Sequence, residues 1–104
     1  RLRNERILAE ARDPEVAVIL LDVVLGYGAH ADPAGELAPV LAKARALARS
    51  AGRKLNVVGF VCGTEEDPQG LARQEQALRA AGMLLADSNA QAARLAASIV
   101  ERRR

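Results

Sequence analysis

Two glycine-containing segments of the sequence have residue types that could hold an anionic ligand. The first, Gly26 to His30, directly follows an apolar run, and the second begins at Gly63 after another apolar run. Glycine lets backbone N–H groups approach a phosphate or carboxylate, and a following helix adds its partial positive charge. A tight turn that needs glycine only for its backbone is the alternative interpretation. The predicted ligand-binding residues are Gly26, Tyr27, Gly28, His30, Gly63 and Thr64.

His30 is the only histidine of the chain and lies in the first of these segments. Because histidine titrates near neutral pH, it could act as a general acid, a base or a phosphoryl acceptor. A surface position in a loop is the other interpretation. With one histidine and one cysteine, the sequence offers no zinc site at ordinary ligand spacing. We therefore assign no metal ligand and no catalytic residue from the sequence.

Acidic residues and a lone cysteine lie close to the candidate ligand residues. Glu65, Glu66 and Asp67 follow Thr64 and would repel an anion unless Mg²⁺ or an arginine intervened. Asp22 interrupts the first apolar run, and a buried carboxylate is costly without a partner. We expect Asp22 to meet a neighbouring domain or to reach the ligand. Cys62 has no cation beside it in sequence, which favours a small buried apolar residue over a nucleophile.

The elements that position these residues alternate between helices and strands. Runs rich in valine and isoleucine predict strands at Val16–Leu25, Asn56–Cys62 and Met83–Ala86. The first run is apolar enough to be buried on both faces. Helical patterns precede the first strand and follow each strand, so we predict an α/β fold with a parallel sheet between helices. The leading helix suggests a further strand upstream in a longer protein.

Two residues within these elements predict features of the local backbone. Pro39 lies inside the apolar pattern of the second helix, so that helix either begins near Glu36 or kinks. Gly59 interrupts the second strand, which predicts close approach by a neighbouring element.

Composition limits the classes of function. At 104 residues the chain forms a single domain, 1–104, and only 2% of its residues are aromatic. Its net charge of +2 comes largely from arginines near the ends. We therefore expect no nucleic-acid partner, because base stacking needs aromatic rings and phosphate binding needs a basic stripe. No apolar run reaches about 18 residues, which predicts no membrane partner. A single cysteine excludes an internal disulfide and fits a cytoplasmic location.

Three motifs together resemble the FdrA family, which is related to succinyl-CoA synthetase α-chains and NDP-forming acyl-CoA synthetases. They read LLDVVLGYGAH at 20–30, VGFVCGTEEDPQ at 58–69 and ADSNAQAARLA at 86–96. The matching module of that group is the CoA-ligase domain. The resemblance therefore implies a flavodoxin-like three-layer sandwich with a parallel sheet, belonging to a longer FdrA-like protein.

The resemblance also implies a function, with one departure from the wider group. Succinyl-CoA synthetases carry a phosphorylated histidine in an insertion after the second strand, but here Gly63 leads directly into Thr64-Glu65-Glu66-Asp67-Pro68. FdrA-like proteins have been linked to carbamoyl transfer that yields carbamoyl phosphate. The expected function is a ligase-like domain that contributes to an acyl or carbamoyl phosphate site without a phosphohistidine. A non-catalytic module that joins domains or subunits is the alternative.

The expected cofactors and partners follow from the same resemblance. We expect no cofactor in this domain, with CoA or a nucleotide as candidates elsewhere in the longer protein. The expected partners are other domains of that protein, with a partner subunit or a second copy as further candidates.

Overall fold

A computed structural model of the chain describes residues 2–26 and 31–102. Within these residues four helices alternate with three strands, and the first and last elements are helices. The helices are α1 (Leu2–Arg12), α2 (Pro33–Ser50), α3 (Leu71–Ala80) and α4 (Asn89–Arg102). The strands are β1 (Val18–Val24), β2 (Asn56–Cys62) and β3 (Leu84–Leu85). None of the described helices is long and apolar enough to cross a membrane.

The three strands form one parallel sheet in the order β1-β2-β3. This confirms the predicted parallel α/β architecture. The bounds of β2 match the prediction, whereas β1 is shorter than Val16–Leu25 and β3 is shorter than Met83–Ala86. Strand ends lose their ladder bonds first, so the apolar pattern overestimates the length of a strand.

Helices cover both faces of the sheet, as the alternation predicted. Helix α1 packs on α2, and α2 packs on α3, above the face that carries Ile19, Leu21 and Val57. Helix α4 packs on β1 and β2 from the reverse side, where Val58 and Ala92 are buried. The main hydrophobic core therefore lies between the sheet and the first three helices.

Burial of β1 on both faces, as predicted from its apolar run, is wrong for this chain. Burial alternates along the strand, with Ile19, Leu21 and Val23 buried and Leu20 and Val24 exposed. The reason is that β1 ends the sheet and α4 covers only part of the reverse face.

Helix α2 begins at Pro33, before the start near Glu36 that was one of the two alternatives predicted from Pro39. Asp32 caps it by accepting the N–H of Gly35 at 3.1 Å, and the helix includes Pro39 rather than beginning near Glu36. Pro39 lies on the exposed side, where water can satisfy the carbonyl that lacks its N–H partner. Gly52 closes the helix at a φ of 75°, with its N–H donated to the carbonyl of Arg49 at 2.9 Å.

Arg53, just after α2, ties the first helix to the rest of the fold. Its guanidinium donates through Nη1 to the carbonyl of Val16 at 3.2 Å and through Nη2 to the carbonyl of Ala11. Ala11 lies in the last turn of α1, where carbonyl groups lack helical partners and a cation is favourable. Arg53 therefore closes α1 and fixes the connection from α1 to β1.

Replacing Arg53 with methionine should lower the free energy of unfolding by about 1.5 kcal/mol, because two carbonyls lose a charged donor. Methionine keeps most of the apolar stem. Arg49→Met, at an exposed position near the end of α2, is the matched control and should change stability by less than about 0.5 kcal/mol. Urea unfolding followed by circular dichroism measures both values. Equal losses for the two variants would contradict the assigned role.

Candidate functional site

The carboxyl ends of β1 and β2 lie side by side, and the predicted ligand residues that the structure describes are there. Val24 and Cys62 are the last paired residues of β1 and β2. Gly63 comes directly after Cys62, and Gly26 comes two residues after Val24. The N–H of Leu25 donates to the carbonyl of Cys62 at 2.9 Å, which continues the ladder to the edge. Gly26, Gly63 and Thr64 are thus brought together at one end of the sheet. Tyr27, Gly28 and His30 lie outside the described residues.

Gly63 is required by the packing at this edge. A Cβ on Gly63 would lie 2.7 Å from the Cβ of Leu25, closer than side-chain atoms normally approach. Leu25 is buried in the core. The two strand-end segments are therefore packed directly against each other, and a side chain at residue 63 would separate them.

Gln69 joins the two segments by hydrogen bonds. Its Oε1 accepts the N–H of Gly26 at 3.1 Å, and its Nε2 donates to the carbonyl of Gly26 at 2.8 Å. The oxygen and the nitrogen of the one side-chain amide thus pair with the N–H and the carbonyl of Gly26, as the backbone of a neighbouring strand would. Only 3% of Gln69 is exposed, and polar groups in that setting are costly to leave unpaired. Gln69 therefore fixes the residue from which the first loop departs.

Gln74 holds the other end of the same loop. Its Oε1 accepts the N–H of Ala34 at 2.8 Å, and its Nε2 donates to Oδ1 of Asp32 at 2.9 Å. Gln74 is 1% exposed and Ala34 is fully buried. Two buried glutamines from the segment after β2 therefore hold the loop between β1 and α2 at both of its ends.

These contacts occupy the first turn of α2. Pro33 has no N–H, and the N–H of Ala34 donates to Gln74. The next two N–H groups both donate to Asp32: that of Gly35 to Oδ1, and that of Glu36 to the backbone carbonyl at 3.1 Å. The carboxylate of Asp32 also brings negative charge to the position where an anion would benefit from the helix. An anion at this edge would have to bind to the backbone of the loop itself rather than to the N-terminus of α2.

The acidic residues after Gly63 have structural partners of their own. Oδ2 of Asp67 accepts the N–H of Thr64 at 2.8 Å, and Oε1 of Glu65 accepts the N–H of Ala72 in the first turn of α3. The hydroxyl of Thr64 accepts the N–H of Glu66 at 3.2 Å. Glu65 and Asp67 therefore stabilise the turn and the start of α3, and their charge makes this edge of the sheet acidic.

One other prediction about these residues needs correction, and one stays a prediction. Cys62, the last residue of β2, is exposed rather than buried. Asp22 is exposed as well, so its contact with a neighbouring domain or with the ligand stays a prediction. Among residues 2–26 and 31–102, no group of three or more histidine, cysteine or acidic residues is arranged to hold a metal ion.

The sequence interpretation missed both glutamines, although one of them left a signal. Leu71, Gln74 and Leu78 are spaced three and four residues apart, so Gln74 lies on the apolar stripe of α3. A polar residue on such a stripe must find a buried partner. Gln69 lies before α3, so it belongs to no helical pattern of apolar residues. Its pairing with Gly26 is therefore visible only in the folded structure.

Comparison with known proteins identifies the class to which this fold and edge belong. Residues 1–99 match the model of the CoA-ligase family, and the chain belongs to that family. It is also similar to the uncharacterized protein YahF of Escherichia coli (strain K12), with 43% identity over 98 residues. That similarity covers 94% of this chain and 19% of YahF, so the chain spans about a fifth of the relative's length.

Proposed function

We propose that the chain is the CoA-ligase domain of an FdrA-type protein related to acyl-CoA synthetases. In this proposal it contributes its two strand-end loops, 26–30 and 63–67, to an acyl phosphate or carbamoyl phosphate transfer site. Other domains of the same protein complete that site, and no phosphohistidine takes part. Membership of the CoA-ligase family supports the general class, and the three motifs that resemble FdrA-like proteins support the narrower one.

The observation that carries the proposal is the attachment of the first loop by Gln69 and Gln74. A tight turn needs only its own backbone hydrogen bonds, whereas this loop is held at both ends by buried side chains from another segment. Positioning of this kind suits backbone N–H groups that must meet a ligand in a fixed geometry. The acidic charge of the neighbouring segment means that cations must come from elsewhere, which supports a site shared with other domains.

The proposed cofactors and partners follow from the shared site. CoA or a nucleotide would bind mainly to domains other than this one, and the partners are those domains or a second subunit. The alternative function, a non-catalytic interaction module, has one observation in its favour. Leu20 and Val24 are exposed on the reverse face of β1, where a neighbouring domain could pack.

Gly28→Val in the complete gene product distinguishes the two functions. If the loop binds the phosphate group, the variant should form carbamoyl phosphate from a carbamoyl donor and inorganic phosphate at least about tenfold more slowly, with its melting temperature almost unchanged. The matched control is Gly52→Val, at the opposite end of the sheet with a φ of 75°. That variant should lose stability but keep its activity per folded molecule. Loss of stability without loss of activity in Gly28→Val would favour the interaction module.

A second experiment tests the absence of a phosphohistidine. The protein is incubated with carbamoyl phosphate or acetyl phosphate, quenched at alkaline pH and digested for mass spectrometry. We expect no phosphate on His30, because the sequence lacks the insertion that carries the reactive histidine in succinyl-CoA synthetases. A stable phosphate on His30 that is lost in His30→Asn would overturn this part of the proposal.

A further inference from the structure

A groove with an apolar floor and positively charged walls lies at the end of the sheet where the strands begin, opposite the candidate site. It has a volume of about 550 Å³ and lies between α4 and the first residue of β3. Leu95 and Ile99 on α4 and Leu84 on β3 form its apolar part. Lys54 and Arg102 bring positive charge to it. Apolar side chains next to charged ones are typical of a protein-binding surface rather than of a site for a simple ion.

The groove exists because α4 covers only part of the reverse face of the sheet. Helix α4 packs on β1 and β2. Leu84 pairs with Val58 and so lies on the same face of the sheet, but Val58 is fully buried and Leu84 is 43% exposed. Leu95 and Ile99 lie one turn apart on α4 and are only partly buried. These apolar side chains therefore remain for a partner to cover.

The charge around the groove is positive. Within residues 2–26 and 31–102, five cations and no acidic residue line the groove and an adjoining concavity that shares Arg53 and Lys54 with it. The five are Arg45, Arg49, Arg53, Lys54 and Arg102. Arg45 and Arg53 donate to backbone carbonyls, which carry no net charge. The helix C-termini at this end each add about half a negative charge, so they offset only part of the excess.

We propose that an acidic segment of another domain of the same protein docks in this groove. Its apolar side chains cover Leu84, Leu95 and Ile99, and its carboxylates face Lys54 and Arg102. Charge complementarity requires the acidic residues, and the exposed apolar floor requires apolar residues among them.

The inference rests on the proposed function only for the presence of other domains. This chain spans 19% of YahF, so most of that relative lies outside the part that resembles this domain. The docking segment adds an interface at the end of the sheet away from loops 26–30 and 63–67. Because the groove and the loops lie at opposite ends, the two proposals can fail independently.

Carbodiimide cross-linking of the complete gene product tests the docking, because this reagent joins a lysine amine directly to a carboxylate that it contacts. Lys54 should form an amide bond to an aspartate or glutamate of another domain in the same molecule, identified by mass spectrometry of the peptides. Lys43, the other lysine of this chain, is exposed on α2 and does not line the groove. As the control, it should give at least about tenfold less of such a product.

Three results of this experiment would overturn the proposal. One is equal cross-linking of Lys54 and Lys43 to other domains. Another is a product of Lys54 that is confined to carboxylates of this domain, or no product at all. The third is a bond between two molecules, detected in a mixture of isotope-labelled and unlabelled protein, since it would assign the groove to a second copy.

Two pairs of variants locate the contact. Arg102→Glu should lower the Lys54 product at least about tenfold, because the new carboxylate repels the acidic segment. Arg94→Glu, also exposed on α4 but outside the groove, should change it less than about twofold. Leu84→Asp should act like Arg102→Glu, whereas Leu20→Asp, on the other edge strand and 49% exposed, should not. All four residues are exposed, so the variants should fold. Equal effects within either pair would contradict the proposal.

Discussion

Replacing Gly59 with alanine should lower the free energy of unfolding by about 3 kcal/mol, the upper range for adding a methyl group to a packed core. Gly59 lies in the central strand, opposite Leu21 on one side and Leu85 on the other. A Cβ on Gly59 would collide with Cε of Met83 and with the carbonyl oxygen of Leu21. The methionine end can rotate away, but the carbonyl belongs to the β1–β2 pair and cannot move without opening it.

Urea unfolding followed by far-ultraviolet circular dichroism measures this loss. Cys62→Val is the matched control, because it also adds bulk to β2 but at an exposed end of the strand. The control should stay within about 0.5 kcal/mol of the natural protein. A Gly59→Ala protein as stable as the control would show that the sheet adjusts to the extra carbon, and that Gly59 is not fixed by close packing.

Gly59 is also a residue for which the sequence interpretation was confirmed. A glycine within a valine-rich run indicated that a neighbour approaches closely, and the approaching groups are Leu21 and Met83. The parallel sheet was likewise predictable, because alternation of strands and helices leaves few other topologies. The sequence also encodes the cap of α4 locally, because Ser88 directly precedes the helix and its Oγ accepts the N–H of Gln91 at 3.1 Å.

Other features of the fold depend on which faces of a strand are covered by neighbouring helices and strands. The residues of the strand itself do not encode that coverage. Leu20 and Val24 look as buried as Leu21 in the pattern, yet their exposure follows from the position of β1 at the edge of the sheet. Cys62 is exposed because it is the last residue of β2. At the candidate site, the apolar runs predicted that Gly26 and Gly63 come after neighbouring parallel strands. The sequence could not predict that the N–H groups of α2 would be occupied by Asp32 and Gln74.

Gln74→Leu should lower the free energy of unfolding by about 3 kcal/mol, although leucine is close to glutamine in size. The change removes the acceptor of the Ala34 N–H, which is fully buried, and the donor to Asp32. A buried N–H without a partner costs about 1–3 kcal/mol, and the loss of a hydrogen bond to a charged carboxylate adds to that cost. Leucine offers no compensating polar contact.

The effect should be concentrated at the start of α2. Amide exchange at Ala34 and Gly35 should accelerate more than exchange in the middle of the helix, because the first turn loses its anchor. Gln76→Leu, at an exposed position on α3, is the control and should leave both stability and exchange nearly unchanged.

A third variant separates the two bonds of Gln74. In Gln74→Glu the new carboxylate can still accept the N–H of Ala34. Its second oxygen, however, faces the carboxylate of Asp32, because Nε2 of Gln74 lies 2.9 Å from Oδ1 of Asp32 in the natural protein. Repulsion at that distance should make this variant less stable than Gln74→Leu at neutral pH. The difference should shrink in acid, where the new carboxyl is protonated and can donate to Asp32. A Gln74→Leu protein that keeps both its stability and the slow exchange of Ala34 would show that the loop ahead of α2 is held without this glutamine.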